Sequence, residues 1–318
     1  MIAFPRSVTG NTSAVTLVVA SLLGIQAGGA VAKGLFSQVA VPGVVTLRLG
    51  VAALVLLAVH RPTVAVFRER WTVIAPAGAV IYLHHLCFYE AIGRIPLGSA
   101  TTIEFIGPFL LSMWFSDRWK SRAWACLALA GVVILCRPSI VTDRAGIACA
   151  LLAAAGWAGY IVLARRIGER VPGQALALTI ATAAAISLPA GASALAPHVG
   201  NPAVWGTGAC VAVLSSVLPY SLQLRALRHL SPRRFSVLLS LEPAVAAGVG
   251  VVLLHQGLST LQGVGIAAVV VASMGATRGL VRRSGRARRT AEVSSRDTAV
   301  ESLERINRAS LGSRRRNP

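Results

Sequence analysis

The chain has 318 residues, of which 55% are hydrophobic and only 13% charged, with a mean hydropathy of +0.68. These proportions exclude an ordinary water-soluble fold and place the chain in a bilayer. A net charge of +20 and a pI near 11.6 do not make it a nucleic-acid binder: 11 of its 31 basic residues fall after residue 280, and most others sit between apolar runs. No interleaving of basic and aromatic residues offers bases a stacking platform.

A spanning helix needs roughly 20 mostly apolar residues, and ten segments qualify. In chain order they run 14–36, 43–60, 72–92, 97–116, 122–138, 145–164, 174–195, 204–227, 233–254 and 261–280. Turn and stop signals separate them, among them Val41-Pro42-Gly43, Ile95-Pro96, Val171-Pro172-Gly173, Asn201-Pro202 and Ser231-Pro232. Met1 to Arg6 is a weak basic leader with no small-residue cleavage pattern after the first span, so a removed signal peptide is not expected. The five cysteines, Cys87, Cys126, Cys136, Cys149 and Cys210, lie in apolar stretches without paired spacing and read as small core residues.

Arginine and lysine set the orientation, because positive loops stay in the cytoplasm. With the N-terminus inside, the inner joints hold Arg61, Arg68 and Arg70; Arg118, Lys120 and Arg122; Arg165, Arg166 and Arg170; and Arg225, Arg228, Arg233 and Arg234. Arg6 and Arg278 raise the inner count to 15, against Arg94, Arg137 and Arg144 outside. Both termini are therefore expected in the cytoplasm.

An internal duplication is also visible. An offset of 135 places Ala91 on Ala226, Ile95 on Leu230 and Pro108 on Pro243, and an offset of 132 places Gly24 on Gly156, Ala32 on Ala164 and Lys33 on Arg165. Repeats of five spans, an odd number, must lie in opposite orientations. The expected fold is an all-α polytopic membrane protein, with ten transmembrane helices as two inverted five-helix repeats. Its parts are a cytoplasmic N-terminus at 1–13, the first repeat at 14–138, the second at 139–280, and a disordered basic cytoplasmic tail at 281–318.

The stretch Ile95-Pro96-Leu97-Gly98 through Glu104-Phe105-Ile106-Gly107-Pro108, with Leu218-Pro219-Tyr220-Ser221 and Ser240-Leu241-Glu242-Pro243-Ala244, resembles the EamA-type drug/metabolite transporters. Within that superfamily it is most similar to the bacterial threonine/homoserine exporters. The resemblance covers about residues 14–280. It implies secondary active export of small amino acids or related metabolites from the inner membrane, by proton antiport with alternating access and without a cofactor.

Ionisable groups at bilayer depth cost on the order of 2.5–3.5 kcal/mol each on insertion scales, so each needs a partner or a purpose. Glu104 lies inside the fourth span, and Thr101, Glu104 and Pro108 share a helix face. Pro108 cannot donate to the Glu104 carbonyl, so that oxygen and the carboxylate are both available to a substrate ammonium or a proton. The alternative is a protonated Glu bonding a neighbouring helix. Glu242, just before Pro243, is either a second coupling acid or a bond to unwound backbone at a helix kink.

Lys33 and Gln26 share a face of the first span; the ammonium meets a substrate carboxylate or Glu104, or snorkels to the headgroups. Arg48 is the better carboxylate ligand because its fork binds bidentately. The resemblance puts Lys33 and Arg48 on basic positions of the exporters' pattern. The stripes Tyr82, His85, Tyr89 and Ser216, Tyr220, Gln223 could line a cavity or pack helices.

His84, Cys87 and Glu90 do not make a metal site, since no fourth ligand follows, and Glu90 with Arg94 reads as an ion pair. The candidate substrate residues are thus Glu104, Arg48, Lys33, Gln26 and Tyr220, the proton-coupling acids Glu104 and Glu242, and the helix kinks Pro108 and Pro243. The tail, with eleven Arg against four acids, suits anionic lipid headgroups. Efflux of another metabolite or a cationic drug is the alternative, using the acids without Arg48 or Lys33. A membrane-embedded enzyme is disfavoured, because the spans carry no zinc-binding His pair with a Glu on one helix, no Gly-x-Ser-x-Gly elbow and no paired aspartates.

Overall fold

A computed structural model describes residues 11–114, 119–135, 143–167, 172–227, 229–230 and 232–275. Residues 1–10, the joints at 115–118, 136–142 (with Cys136) and 168–171, Arg228, Ser231 and residues 276–318 with the basic tail lie outside the described residues. The elements run α1 (Asn11–Leu35), α2 (Val41–His60), α3 (Val64–Arg94), α4 (Leu97–Trp114), α5 (Trp119–Leu135), α6 (Arg144–Ile167) and α7 (Pro172–Leu195). A 3-10 turn at Ala196–His198 leads into α8 (Pro202–Ala212), which passes through a π turn at Val213–Val217 into α9 (Leu218–Leu227). Then come α10 (Pro232–Leu239), α11 (Glu242–Leu254) and α12 (Thr260–Gly275).

Seven helical runs are long and apolar enough to cross a membrane: Ala14–Leu35, Val41–His60, Val64–Arg94, Arg144–Ala164, Gly173–His198, Pro202–Leu227 and Arg234–Leu254. Three shorter apolar helices, Leu97–Leu111, Ala123–Leu135 and Thr260–Gly275, occupy the positions of the fourth, fifth and tenth predicted spans. No strand occurs among the described residues.

The local chemistry explains the boundaries. Pro42 and Pro202 sit in first turns, where a missing N–H costs nothing, and the Asn201 side chain caps α8 by accepting from the Ala203 N–H at 3.1 Å. α3 begins eight residues before the predicted third span. No breaker stands between Thr63 and Pro76, so the helix runs on through the polar turn of Arg68, Glu69 and Arg70. The ninth predicted span is broken at Ser240 and Leu241. Pro243 has no N–H for the carbonyl four residues back, so winding stops at Leu239 and restarts at Glu242 with proline in the first turn.

The exterior is apolar and the interior carries the polar groups. Leu54 and Val252 are each 70% exposed and Val59 67%, whereas Gln26, Arg48, His85, Thr101, Glu104 and Glu242 are all buried. That inversion suits a surround of lipid, where an exposed Leu costs nothing and a charge must face inward. It also corrects the reading of the cysteines: Cys87 is buried, but Cys126 and Cys210 are exposed on this apolar surface, where a small weakly polar side chain is tolerated as well as in the core.

The interior is held by close helix pairs. α3 packs on α6 and α7, α4 on α6 and α11, and α2 on α7 and α8. α1 packs on α8, the π turn, α9 and α11. Without a hydrophobic drive between helices in lipid, small residues let backbones approach, and α6 shows this best. A Cβ on Gly156 would stand 3.2 Å from the His84 Cα of α3, and one on Gly107 of α4 would stand 2.5 Å from the Ala154 carbonyl carbon. The segment Ala153 to Gly156 is thereby wedged between α3 and α4, and its small side chains set the spacing of the polar centre.

Candidate functional site

The centre is organised around Arg48 on α2, only 8% exposed. Its Nε donates to the Ser216 hydroxyl at 3.2 Å, one terminal nitrogen to the Tyr89 hydroxyl at 3.1 Å, and the other to the Ser215 carbonyl at 3.2 Å. The guanidinium also lies 5.3 Å from the centroid of the Tyr89 ring, within cation–π range. The Ser215 carbonyl is available because Pro219, four residues on, has no N–H to offer it, and because the backbone there is wound as a π turn. Five N–H donors with three engaged leave two for another acceptor.

Two buried acids stand on other helices, Glu104 within the field of Arg48 and Glu242 within that of Glu104. Glu104, 6% exposed on α4, places Oε1 3.4 Å from the His84 Nε2 of α3. The other ring nitrogen of His84, Nδ1, is 3.1 Å from the Ala153 carbonyl of α6. Glu242, 8% exposed at the start of α11, accepts from the Gln26 amide at 3.2 Å, and the helix N-terminus favours negative charge there. Glu104 lies within the electrostatic reach of both Arg48 and Glu242, and the field of Arg48 also extends to His84, His85 and Tyr220. Trp157 of α6 encloses the Glu104 side, its ring centroid 5.8 Å from Phe105 and 6.1 Å from His84.

The residues singled out in the sequence are thus not all gathered together. Arg48, Glu104, Glu242 and Gln26 are buried in the centre, and Tyr220, half-buried on α9, lies within the field of Arg48. Lys33 is half-buried near the end of α1 and donates to the Ile95 carbonyl at 3.4 Å, with no ion pair to Glu104. Pro108 stands within an unbroken α4, whereas Pro243 follows a real interruption. Glu90 and Arg94 form an ion pair at 2.9 Å. Sequence reasoning weighed His84 only as a metal ligand beside Cys87 and Glu90, and passed over Ser215 and the Ala153 carbonyl. Pro219 was the available signal for Ser215, since it marks the carbonyl four residues back as free.

An apolar exterior around a buried cation, two acids and their amide, hydroxyl and imidazole partners is the layout of a membrane carrier, and the comparisons with known proteins agree. The EamA-like transporter family profile matches residues 144–278. The threonine/homoserine exporter RhtA of Escherichia coli strain K12 is 34% identical over 267 residues, covering 83% of this chain and 90% of that protein. The chain belongs to the EamA-like transporter family. RhtA of Salmonella typhimurium strain LT2 gives the same identity and coverage. One crystal structure of a protein is similar in fold, with a TM-score of 0.58, 21% identity and coverage of 86% of this chain and 99% of that one. The protein is therefore a multi-pass membrane transporter and not an enzyme.

Proposed function

We propose that this transporter exports a small zwitterionic amino acid of the threonine/homoserine kind from the cytoplasm across the inner membrane, in exchange for protons. The observation that carries the reading is the burial, in one apolar body, of the Arg48 guanidinium with two spare donors among the described residues and of two carboxylates, Glu104 within its field and Glu242 within that of Glu104. A zwitterion presents the complementary pair: its carboxylate meets Arg48 and its ammonium meets Glu104, with Gln26 and Tyr220 completing the polar wall. The Thr101 hydroxyl, on the face of Glu104, is fully buried without a hydrogen-bond partner among the described residues, which suits a polar ligand. Lys33, at the end of α1, attracts the substrate carboxylate near the outer mouth. Glu104 and Glu242 carry the protons.

Alternating access rests on two inverted five-helix repeats, 14–138 and 139–280, hinged at Pro108 and Pro243. The packing is consistent with such a two-fold. Contacts of α3 with α6 and α7 are matched by contacts of the α8–α9 run with α1 and α2, and α4 on α6 is matched by α11 on α1. The termini lie in the cytoplasm, with the basic tail, outside the described residues, on anionic headgroups. One proton entering for each zwitterion leaving moves one net charge inward, and about 2.3 kcal/mol per 100 mV supports about a 50-fold gradient before any contribution from pH.

Counterflow of labelled threonine or homoserine in proteoliposomes of the purified protein tests the substrate class. Saturable exchange that Glu104→Gln uncouples from a pH gradient is expected. Exchange of a lipophilic cation in place of either amino acid would transfer the site to drug efflux and leave Arg48 without its proposed role.

A further inference from the structure

The His84 contact fixes more about Glu104 than its depth does. A backbone carbonyl can only accept, so the 3.1 Å contact between His84 Nδ1 and the Ala153 oxygen places a hydrogen on Nδ1. A neutral imidazole has one such hydrogen, which leaves Nε2 as a bare lone pair facing Glu104 Oε1 at 3.4 Å. If Glu104 were an ionised carboxylate beside that neutral ring, two lone pairs would face each other. The contact is attractive only with a proton between the two atoms, either on the acid, donating to Nε2, or on Nε2, donating to the carboxylate. Both arrangements hold the same number of protons.

From this we infer that His84 and Glu104 act as one proton-holding latch between α3 and α4: the pair is closed with its shared proton bound and opens when that proton leaves. Release converts imidazolium and carboxylate to neutral imidazole, free carboxylate and one proton delivered to solution; uptake from the other side reverses it. The released carboxylate is then the acceptor for a substrate ammonium, so substrate and proton alternate on Glu104. This rests on the proton exchange proposed above and assigns His84 a part in it. The latch is positioned from outside itself, because α6 both accepts from Nδ1 and fills the space between the two helices with Ala153, Ala154 and Gly156. The other ionisable groups reaching the pair are Arg48 from α2, His85 from α3 and Glu242 from α11. Tyr160 of α6 and Tyr220 of α9 lie beyond, coupled to each other and, through Tyr220, to Arg48.

The test uses the full-length transporter in proteoliposomes with labelled threonine, comparing the wild type with His84→Asn. The Asn amide keeps a donor for the Ala153 carbonyl and has nothing at the place of Nε2. In a one-for-one exchange, a gradient of about one pH unit drives about tenfold accumulation in the wild type; His84→Asn should show none. Its counterflow at equal pH should continue at a reduced rate that no longer varies with pH. Retention of gradient-driven accumulation with the wild-type pH profile would overturn the latch. Absence of counterflow in the wild type would overturn the transport reading instead, which separates the two. Should His84→Asn fail to insert, infrared titration of the wild type decides: the acid band lost in Glu104→Gln should titrate in step with the signal of ring-labelled histidine. Two independent titrations would refute the shared proton.

Discussion

Gly107→Ala is the sharpest perturbation of the polar centre, because it changes no polar atom. The added methyl would stand 2.5 Å from the Ala154 carbonyl carbon, 3.0 Å from its Cα and closer still to its oxygen. Ordinary carbon contacts begin near 3.5 Å, and the obstacle is helix backbone rather than a side chain that can turn away. α4 and α6 must therefore separate by about 1 Å, which overpacking studies equate with about 1–3 kcal/mol. The same displacement acts one turn away on Glu104, whose contact with His84 is already 3.4 Å, while α6 supplies the carbonyl that orients His84. The expected result is a lowered thermal midpoint in detergent together with loss of pH-driven transport. Gly248→Ala, where a Cβ meets nothing within 4 Å among the described residues, should be neutral or slightly stabilising, since alanine winds a helix better than glycine by about 0.5–1 kcal/mol. A Gly107→Ala protein with the stability and transport of the wild type would refute the claim that α6 sets the spacing of the centre.

Arg48→Lys keeps the charge but cannot satisfy Ser216, Ser215 and Tyr89 at once; each charge-assisted hydrogen bond forgone is worth about 1.5–3 kcal/mol. Both the thermal midpoint and the apparent affinity in counterflow should fall, and an unchanged half-saturating concentration would remove Arg48 from the substrate. Gln26→Leu deprives the buried Glu242 of its amide donor, a loss of about 1–3 kcal/mol that a thermal melt should register; no shift would mean that Glu242 is satisfied from elsewhere. Reporter fusions after Arg61, Arg118, Arg166 and Arg234 should read cytoplasmic, and fusions at Gln38, Arg94 and His198 external; one inner joint reading external would break the inverted arrangement.

How far the sequence carried the fold follows from what lipid demands. Apolar runs such as Val41–His60 announce themselves because nothing else suits a bilayer, and Glu104, Arg48 and Glu242 stand out within such runs because each is costly there. The start of α3 was harder to place. Its first turns are polar enough to read as a loop, yet contain no breaker, and only hydrogen-bond continuity shows that the helix extends to Val64. His84 lay hidden for another reason. Its partners, Glu104 and the Ala153 carbonyl, come from two other helices, and one of them is backbone with no sequence signature at all. The ion pair of Glu90 with Arg94 was legible because both groups lie on one helix at a spacing of four.

The π turn at Val213–Val217 holds one residue more than an α-helical path of the same rise would need. Rewound as α-helix, it would hand that residue on, turning everything beyond it by about 100° and advancing it by about 1.5 Å. Tyr220 would then sweep out of the centre, and Gln223 would leave the Ser21 hydroxyl of α1 to which it now donates at 3.3 Å. Arg48, bonded to both Ser215 and Ser216, ties this turn to α2. The extra residue of the turn is thus anchored through the same guanidinium whose field reaches Glu104.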